Sequence, residues 1–369
     1  MQPPFGLTEL QFVAFMKRHI APMRLKIATI LKYWVEVYYR EDFEYDEPVL
    51  SKLKLFTSAK IAKDYNKHAQ EILILIKTYE DVGMPIAMHT TSDKVELPKP
   101  LVTKKFTQSF LMSDPKAILE LDPIEVARQI TLVEFSIFCK IRPRETINQV
   151  YADTNGKEVN LYPNIHKMIN FTNQITMWVC STMVSIPELK NRVLIMKFFM
   201  SIAIALKDMQ NFNALTAIVA GLTMGPVYRL KKTLLRLEKN FPKLKESYLE
   251  AVAIVSPKGQ YANYRKHLKT LLKPVLPFLG VFITDMTFVE LGNNNFLPEN
   301  HFINFDKRRK FSQLIRDLQC YQKSTFNFVA ISFIQEYLFT VKSEQNENKL
   351  FESSQRVEPP EAQLDDDDE

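Results

Sequence analysis

Residues 121–148 read LDPIEVARQITLVEFSIFCKIRPRETIN and carry the clearest folding signal in the chain. Asp122 can cap a helix, and Pro123 suits the first helical position because its ring fixes φ and it has no N–H to leave unpaired. Glu125 completes an Asp-x-x-Glu form of the capping box. Apolar residues then recur at the period of one helix face: Val126, Ile130, Val133 and Ile137. The stretch therefore predicts a buried amphipathic helix.

The same helical period extends to both sides of this stretch. It occurs in three further sets: Ala28, Leu31, Val35 and Tyr38; Phe311, Leu314, Ile315 and Leu318; and Phe326, Ala330, Phe333 and Tyr337. No segment shows the sustained alternation of apolar and polar residues that a half-buried strand requires. The sequence therefore predicts an all-α protein.

Breaks in this pattern divide the chain into four segments. Residues 1–86 are predicted to be a helical module, and residues 87–117, with several prolines among threonine, serine and lysine, a linker. Residues 118–340 form the main helical domain. Residues 341–369 hold ten acidic and three basic side chains and end in DDDDE, so a disordered acidic tail is predicted there.

Glycine is scarce, and its scarcity argues against direct nucleotide binding. The chain has 8 glycines among 369 residues, whereas about 7% is usual. Dinucleotide-binding turns and phosphate loops need several glycines close together, because only glycine lets the backbone approach a phosphate closely. No such group of glycines occurs, so the protein is not expected to bind a nucleotide itself.

Conventional catalytic and metal sites are also missing from the sequence. The six histidines are widely spaced, no Gly-x-Ser-x-Gly elbow occurs, and Cys139, Cys180 and Cys320 lie far apart in apolar stretches. We therefore expect no metal, no cofactor and a reducing, cytosolic environment. No signal peptide is visible, and no segment has the roughly 20 mostly apolar residues that span a bilayer. Any membrane contact is expected to be peripheral.

Two basic stretches, 229–239 and 265–273, admit three interpretations. They could bind nucleic acid, attract an acidic protein or an anionic lipid, or form solvated helix faces. No recognition motif for nucleic acid accompanies them. Solvated faces are therefore favoured, and a nucleic-acid partner is not expected.

Three separated blocks, read together, carry a family resemblance. The first is 121–148, quoted above; the second, 164–237, reads NIHKMINFTNQITMWVCSTMVSIPELKNRVLIMKFFMSIAIALKDMQNFNALTAIVAGLTMGPVYRLKKTLLRL; the third begins at 274 with PVLPFLGVFITDMTFVELGNNNFLPENHFINFDKRRK. In order and spacing they resemble the RasGEF catalytic domain of exchange factors for Ras-family GTPases. Residues 30–53, ILKYWVEVYYREDFEYDEPVLSKL, resemble the Ras exchanger motif that precedes this domain, and the module is expected to be either short or truncated here.

The resemblance implies a guanine-nucleotide exchange factor that promotes GDP release from a Ras or Rap type GTPase. Members of this family grip the switch segments of the GTPase and insert a helical hairpin beside its nucleotide site. No covalent bond is made or broken, and no cofactor is needed. The resemblance also implies a cytoplasmic protein that is recruited to the membranes where the GTPase resides. An alternative is a non-exchanging adaptor or scaffold that uses the same helical fold.

Site residues follow from the same resemblance. The hairpin is expected around 278–295, with Phe278 against the second switch, and with Thr287 and Leu291, four apart on one helix face, toward the nucleotide pocket. Five residues are assigned to GTPase binding: Ile169, Asn173, Thr216, Thr223 and Tyr261. Four are interpreted as structural: Asn211, Asn213 and Trp178 in the catalytic domain, and Trp34 in the core of the N-terminal module.

Two positions depart from the family pattern. Leu291 stands where many Ras-directed members have the second acid of Glu-Glu-Gly. Some Rap-directed relatives, by contrast, are similar to this chain and have Leu at that position. Thr223 stands where Asn is common. The first departure points toward a Rap type partner, and both keep the adaptor alternative open. Glu290 lies about 100° around a helix from Leu291 and cannot replace the missing charge.

Overall fold

The computed structural model describes residues 6, 8–44, 46–82, 97–102, 107–147, 162–298 and 301–360. Within these residues the chain is predominantly α-helical, and the only β-type pairing consists of two isolated bridges. The prediction of an all-α protein is confirmed. The chain divides into two units, Met1–Asp93 and Lys94–Glu369, and the division falls inside the segment predicted as a linker.

The N-terminal unit is built around a long helix. Its helices are α1 (Glu9–Phe15), α2 (Ala21–Asp42), α3 (Glu47–Phe56), α4 (Ala62–Asp64) and α5 (Asn66–Val82), with π-helical turns at Met16–Ile20 and Thr57–Ile61. Lys32 Nζ of α2 lies 2.9 Å from Glu71 Oε2 of α5. Further along both helices, the Tyr79 hydroxyl donates to the carbonyl of Glu36. Helices α2 and α5 therefore run parallel, and their apolar faces form the core of this unit.

Two aromatic residues of α2 differ from the prediction. Tyr39 rather than Tyr38 is the tyrosine that the core buries. Trp34 is 36% exposed, so its assignment to the core was wrong. Its ring packs on Phe43 with 4.8 Å between centroids, while its indole N–H donates to Asp42 Oδ2 at 2.6 Å. The indole covers the core from outside because its N–H needs a polar partner.

The second unit contains the remaining helices. They are α6 (Gln108–Ser113), α7 (Pro123–Phe138), α8 (Arg144–Ile147), α9 (Pro163–Ser185), α10 (Leu189–Asp208), α11 (Phe212–Thr223), α12 (Gly225–Tyr228), α13 (Lys231–Asn240), α14 (Pro242–Ile254), α15 (Lys258–Leu268), α16 (Leu279–Leu291), α17 (Phe305–Gln322), α18 (Ser332–Thr340) and α19 (Glu347–Val357), with a 3₁₀ turn at Pro115–Glu120. Helices α7, α9, α10 and α11 pack together at its centre. Trp178 of α9 is buried there, with its N–H 3.1 Å from the Tyr337 hydroxyl.

The start of α7 follows the prediction in part. The Asp122 side chain accepts from the N–H of Ile124 at 2.8 Å, and all four residues of the predicted apolar face are buried. Glu125, however, is buried and accepts from Leu101 N at 2.9 Å and Gln129 Nε2 at 2.7 Å. The capping-box role of Glu125 was therefore wrong, because its carboxylate binds the backbone of Leu101 and the side chain of Gln129, one turn further along α7.

The predicted helical face at 326–337 is only partly helical. Helix α18 begins at Ser332, and Ala330 lies exposed before it. The buried Gln129 donates to Val329 O at 2.8 Å and accepts from Ile331 N at 2.9 Å. These backbone groups before α18 therefore form hydrogen bonds with a side chain of α7 and do not form the hydrogen bonds of a helix.

Helix α19 contradicts the prediction of disorder for part of the segment 341–369. It packs against α9 and α12, and the Phe351 ring covers Gly225, where a Cβ would lie 2.6 Å from the ring. The acidic end, 361–369, lies outside the described residues.

The residue after α19 explains why this segment folds. Glu358 is buried, and its Oε1 accepts from Thr233 N at 3.0 Å and lies 3.5 Å from Nη2 of the buried Arg192. A charge count treats Glu358 as part of an acidic tail. In the structure it neutralises an internal arginine, which no local sequence pattern reveals.

Candidate functional site

Helices α9 and α11 pack closely in parallel and support one part of the candidate site. Thr176 Oγ1 on α9 donates to Ala217 O on α11 at 3.2 Å. One turn further along α11, a Cβ on Gly221 would lie 2.6 Å from the Thr176 carbonyl oxygen, so this close approach requires glycine. The outer faces of the two helices therefore lie next to each other.

Four of the predicted binding residues lie on these two helices. Ile169, which is 40% exposed, and Asn173 are one turn apart on α9. Thr216 and Thr223 are two turns apart on α11, and each hydroxyl donates to the carbonyl four residues earlier, at 2.7 and 2.8 Å. Each threonine oxygen can still accept a hydrogen bond from another molecule.

Helices α16 and α17 form a hairpin through the connection 292–304. Between them lies the Lys307 side chain, which is only 2% exposed. Its ammonium group donates to the Glu290 carbonyl, to Glu290 Oε1 and to Asn295 Oδ1, each at 2.8 Å. All three ammonium protons have partners, so the far end of the hairpin is held in one arrangement. The carbonyl and the carboxylate of Glu290 are therefore both bound by Lys307 of α17.

The far end of the hairpin exposes apolar side chains. Leu291 is 82% exposed, and Thr287, one turn earlier, is partly buried with its hydroxyl 2.9 Å from Ile283 O. Further exposed apolar residues follow: Phe288, Phe296, Phe302, Ile303 and Phe305. Exposed apolar side chains grouped in this way are typical of an interaction surface. We call Phe288, Leu291 and these later residues the hairpin tip.

Side chains from other helices fix the root of α16. The buried Tyr264 of α15 accepts from Phe278 N through its hydroxyl at 2.8 Å. Asn213 Oδ1 of α11 accepts from Leu279 N at 3.3 Å. These bonds satisfy two N–H groups that the start of a helix otherwise leaves unpaired.

The Phe278 ring lies between two neighbours. Its centroid is 5.5 Å from that of Tyr261, and a Cβ on Gly280 would lie 2.7 Å from the ring edge. Glycine at 280 thus leaves room for the ring to fold against the first turn of α16. Two residues that the sequence assigned to the same contact, Phe278 and Tyr261, do meet.

Asn213 links this root to two central helices. Its Nδ2 donates to Thr172 Oγ1 of α9 at 2.8 Å and to Glu134 Oε1 of α7 at 2.9 Å. Burial raises the pKa of Glu134 to about 7, and its Oε2 has no hydrogen-bond partner among the described residues. The neighbouring Asn211 caps α11, accepting from the N–H of Ala214 at 3.0 Å.

Sequence reasoning missed three members of this network: Glu134, Thr172 and Tyr264. The one signal for Glu134 was an acid inside the apolar stretch of α7, directly after Val133. Thr172 and Tyr264 carried no signal, since each acts on a helix distant in sequence. Among the described residues, no group of His, Cys, Asp or Glu is placed to hold a metal ion, and none of the helices there could cross a membrane.

The family model of the RasGEF domain matches residues 125–309, from the first turn of α7 to the first turn of α17, which is half of the chain. The chain belongs to the RasGEF domain family. The resemblance inferred from the three sequence blocks is confirmed.

Relatives in two organisms match most of this chain. "Ras guanine nucleotide exchange factor Y" of Dictyostelium discoideum is 32% identical over 91% of this chain and 22% of its own length. "Ras guanine nucleotide exchange factor A" of the same organism is 31% identical over 93% of this chain and 56% of its own length. "Protein son of sevenless" of Drosophila melanogaster is 26% identical over 94% of this chain and 21% of its own length. The chain thus spans between a fifth and just over half of these relatives.

Within the RasGEF domain, the predicted residues fall into separate groups. Five of them lie on, or contact, the segments that Asn213 joins, and we call these five the root group: Ile169, Asn173, Thr216, Tyr261 and Phe278. Thr287 and Leu291 lie toward the other end of α16, and Leu291 is about 20 Å along the helix from Phe278. Thr223 lies about 10 Å along α11 from Thr216. The predicted residues therefore line an extended surface rather than one pocket.

A polar cleft of about 650 Å³ adjoins the root group. Asn170, Asn173 and Gln174 of α9 form one wall, and the segment 339–345 forms the other. The sequence assigned this second wall to the end of the domain and the start of the tail. The second wall lies opposite α9 because of the position of α18, and the spacing of residues in the sequence does not reveal that position.

Proposed function

We propose that this chain is a guanine-nucleotide exchange factor that promotes GDP release from a Ras-superfamily GTPase. The observation that carries the proposal is a hairpin inside a RasGEF domain, held at its root by Tyr264 and Asn213 and at its far end by Lys307. A hairpin fixed at both ends can displace part of a partner without deforming itself. The names of the relatives support the same activity.

The root group would hold the second switch of the GTPase. Phe278 and Tyr261 offer an aromatic contact, and α9 and α11 offer Ile169, Asn173 and Thr216 beside it. Thr223, whose hydroxyl oxygen can accept a hydrogen bond, would extend this contact along α11. Aromatic anchors of this kind dominate the binding energy of many interfaces.

The hairpin tip would act at the nucleotide site. With Thr287 and Leu291 beside that site, the exchange factor stabilises the nucleotide-free GTPase, so nucleotide and exchange factor weaken each other's binding reciprocally. A thousandfold faster GDP release needs a barrier only about 4 kcal/mol lower. No covalent chemistry and no cofactor are required for this step.

We also propose the finer assignments. Leu291 at the tip favours a Rap type partner over a Ras type partner. The N-terminal unit serves as a Ras exchanger motif module, in keeping with matches that cover more than nine-tenths of the chain. The protein acts from the cytoplasm at membranes that carry the lipid-anchored GTPase, through peripheral contact.

The decisive experiment measures release of a fluorescent GDP analogue from purified Ras and Rap type GTPases. We expect faster release from at least one of them when the chain is added with excess unlabelled GTP. Release induced by a magnesium chelator serves as the control that each GTPase was loaded. Stable binding without faster release from any GTPase in the panel would support the adaptor alternative and overturn the proposed activity.

A further inference from the structure

The segment before the hairpin contains an unusual backbone turn. At the start of α15, Gly259, Gln260 and Tyr261 all have left-handed conformations, with φ of 62°, 56° and 62°. Residues that carry a Cβ rarely adopt this left-handed conformation, so the backbone of Gln260 and Tyr261 is strained. Such strain persists where surrounding contacts hold it in place, and it is frequent at functional sites.

Three contacts of this turn and of the residues after it lead to α16 or to Phe278, the residue directly before α16. The Tyr261 ring packs on Phe278, and the Tyr264 hydroxyl accepts from Phe278 N at 2.8 Å. Arg265 makes a two-point pair with Asp285: Nη1 lies 2.6 Å from Oδ2 and Nη2 lies 2.7 Å from Oδ1. We call the segment 259–265, with these partners in α16, the clasp.

One guanidinium group joins the strained turn to the hairpin. While its two Nη atoms bind Asp285, Nε of Arg265 donates to the carbonyl of Gln260 at 2.9 Å. The side chain is 37% exposed and that of Asp285 26%, so the pair lies at the surface, beside the buried face of α16. Sequence reasoning had favoured a solvated basic face here; Arg265 does lie at the surface, but it is paired with Asp285.

The clasp holds α16 at two positions, and these lie far enough apart to set the direction of the helix. Phe278 and Asp285 are seven residues, or about 10 Å, apart along the chain of α16. The buried apolar residues of α16, such as Val281 and Phe282, hold the helix against the domain without directional preference. Lys307 joins α16 to α17, so it fixes the shape of the hairpin rather than its angle to the domain.

We propose that Arg265 is a positioning residue that sets the angle of the hairpin, through its two-point pair with Asp285 and its bond to the left-handed turn at 259–261. The inference rests on the proposed exchange activity, because the angle of α16 determines where the hairpin tip meets the nucleotide site. The two-point geometry requires a guanidinium group, since an ammonium group cannot reproduce its planar fork.

The main test compares Arg265→Lys and Asp285→Asn with the wild-type chain in the exchange assay. Arg265→Lys keeps the charge and loses the fork. We expect kcat to fall about tenfold or more, because small misplacements of a positioned group have effects of this size. KM should change less than kcat, because the part of the binding surface on α9 and α11 is untouched.

A matched control uses another ion pair of the same domain. Lys245 of α14 lies 2.6 Å from Glu238 of α13, and Lys245→Met removes that pair. We expect this variant to keep the wild-type kcat. A fall in kcat that parallels the loss of melting temperature in both Arg265→Lys and Lys245→Met would reduce Arg265 to a structural role and overturn the proposal.

A second readout needs no GTPase. Spin labels at Asn294→Cys, beyond the end of α16, and Lys190→Cys, on α10, report the distance from hairpin to domain once the exposed Cys139 and Cys320 are replaced by serine. We expect a narrow distance distribution in the otherwise wild-type protein and a shifted or broadened one with Arg265→Lys. An unchanged distribution overturns the proposal. Failure of exchange on every GTPase would reject the proposed function, while this distance would still decide the role of Arg265.

Discussion

Phe278 is the side chain on which the proposed binding surface depends most. It contacts Tyr261, folds over Gly280, and its backbone N–H is bound by Tyr264. The ring is partly exposed rather than buried in the core. It is therefore held in place by the protein while part of its surface stays available to a partner.

Phe278→Ala should abolish most of the exchange activity without unfolding the protein. An aromatic anchor contributes about 2 kcal/mol or more to an interface, which corresponds to a loss of roughly thirtyfold. The stability loss should stay below the roughly 3–5 kcal/mol typical of a buried phenylalanine. Release of fluorescent GDP and thermal melting measure the two effects. A variant that fails to fold would show instead that Phe278 belongs to the core.

Leu291→Glu tests whether the hairpin tip requires an apolar residue. Leu291 is 82% exposed, so the free energy of unfolding should change by no more than about 0.5 kcal/mol. We expect exchange to persist or to shift between Ras and Rap type GTPases. Leu291→Gln, which is polar but uncharged, is the control. If Glu abolishes exchange on every GTPase while Gln does not, the tip excludes negative charge.

Helices α7, α9 and α11 meet the root of the hairpin through one polar network. Glu134, Thr172 and Leu279 are all joined to Asn213. The carboxyl of Glu134 is buried, which raises its pKa from the ordinary 4.5 to about 7. A displacement of any of these helices relative to the others would leave a buried polar group unpaired.

Glu134 should make stability depend on pH. Its pKa is higher in the folded protein than in the unfolded chain, so its contribution is fully present below about pH 4.5 and is lost as pH rises through about 7. Glu134→Gln does not titrate. Urea unfolding at pH 5 and at pH 8 should therefore show the wild type losing up to about 3 kcal/mol relative to the variant. Equal losses in both proteins would contradict the raised pKa.

Local signals in the sequence were sufficient for some elements and not for others. Helix α7 was predictable because Asp122, Pro123 and the spacing of its apolar residues all act within the helix. Helix α19 was not, because its stability depends on Glu358 reaching Arg192 and Thr233 far away in the chain. The blocks of family resemblance pointed to Phe278 and Tyr261, whereas Tyr264 contributes through a contact that no spacing reveals.

The chain divides into two units, and helix α19 packs against α9 and α12 of the larger one. Helix α19 covers Gly225 with Phe351, and Arg229 Nη1 donates to the carbonyl of Ser354 at 2.7 Å. The RasGEF match ends at 309, well before this helix. The folded unit therefore extends beyond the region that defines the family.

Removing residues 346–369 should strongly destabilise the second unit. The truncation leaves the buried Arg192 without the carboxylate of Glu358, and loss of one partner of a buried pair costs about 3–5 kcal/mol. Removing only 361–369 is the control and should change little. Urea unfolding of both truncated chains measures the difference. Equal stability of the two would show that α19 contributes no stabilising contact.

The exposed apolar side chains of the hairpin tip determine how the enthalpy of association should change with temperature. Its exposed side chains, among them Phe288, Leu291 and Phe296, keep apolar surface in contact with water until a partner covers it. Covering apolar surface lowers the heat capacity, whereas contacts between charged groups weaken with added salt. Calorimetry of binding to a nucleotide-free GTPase should therefore give an enthalpy that becomes more negative on warming. The affinity should depend only weakly on salt concentration, despite the excess of basic residues in the chain.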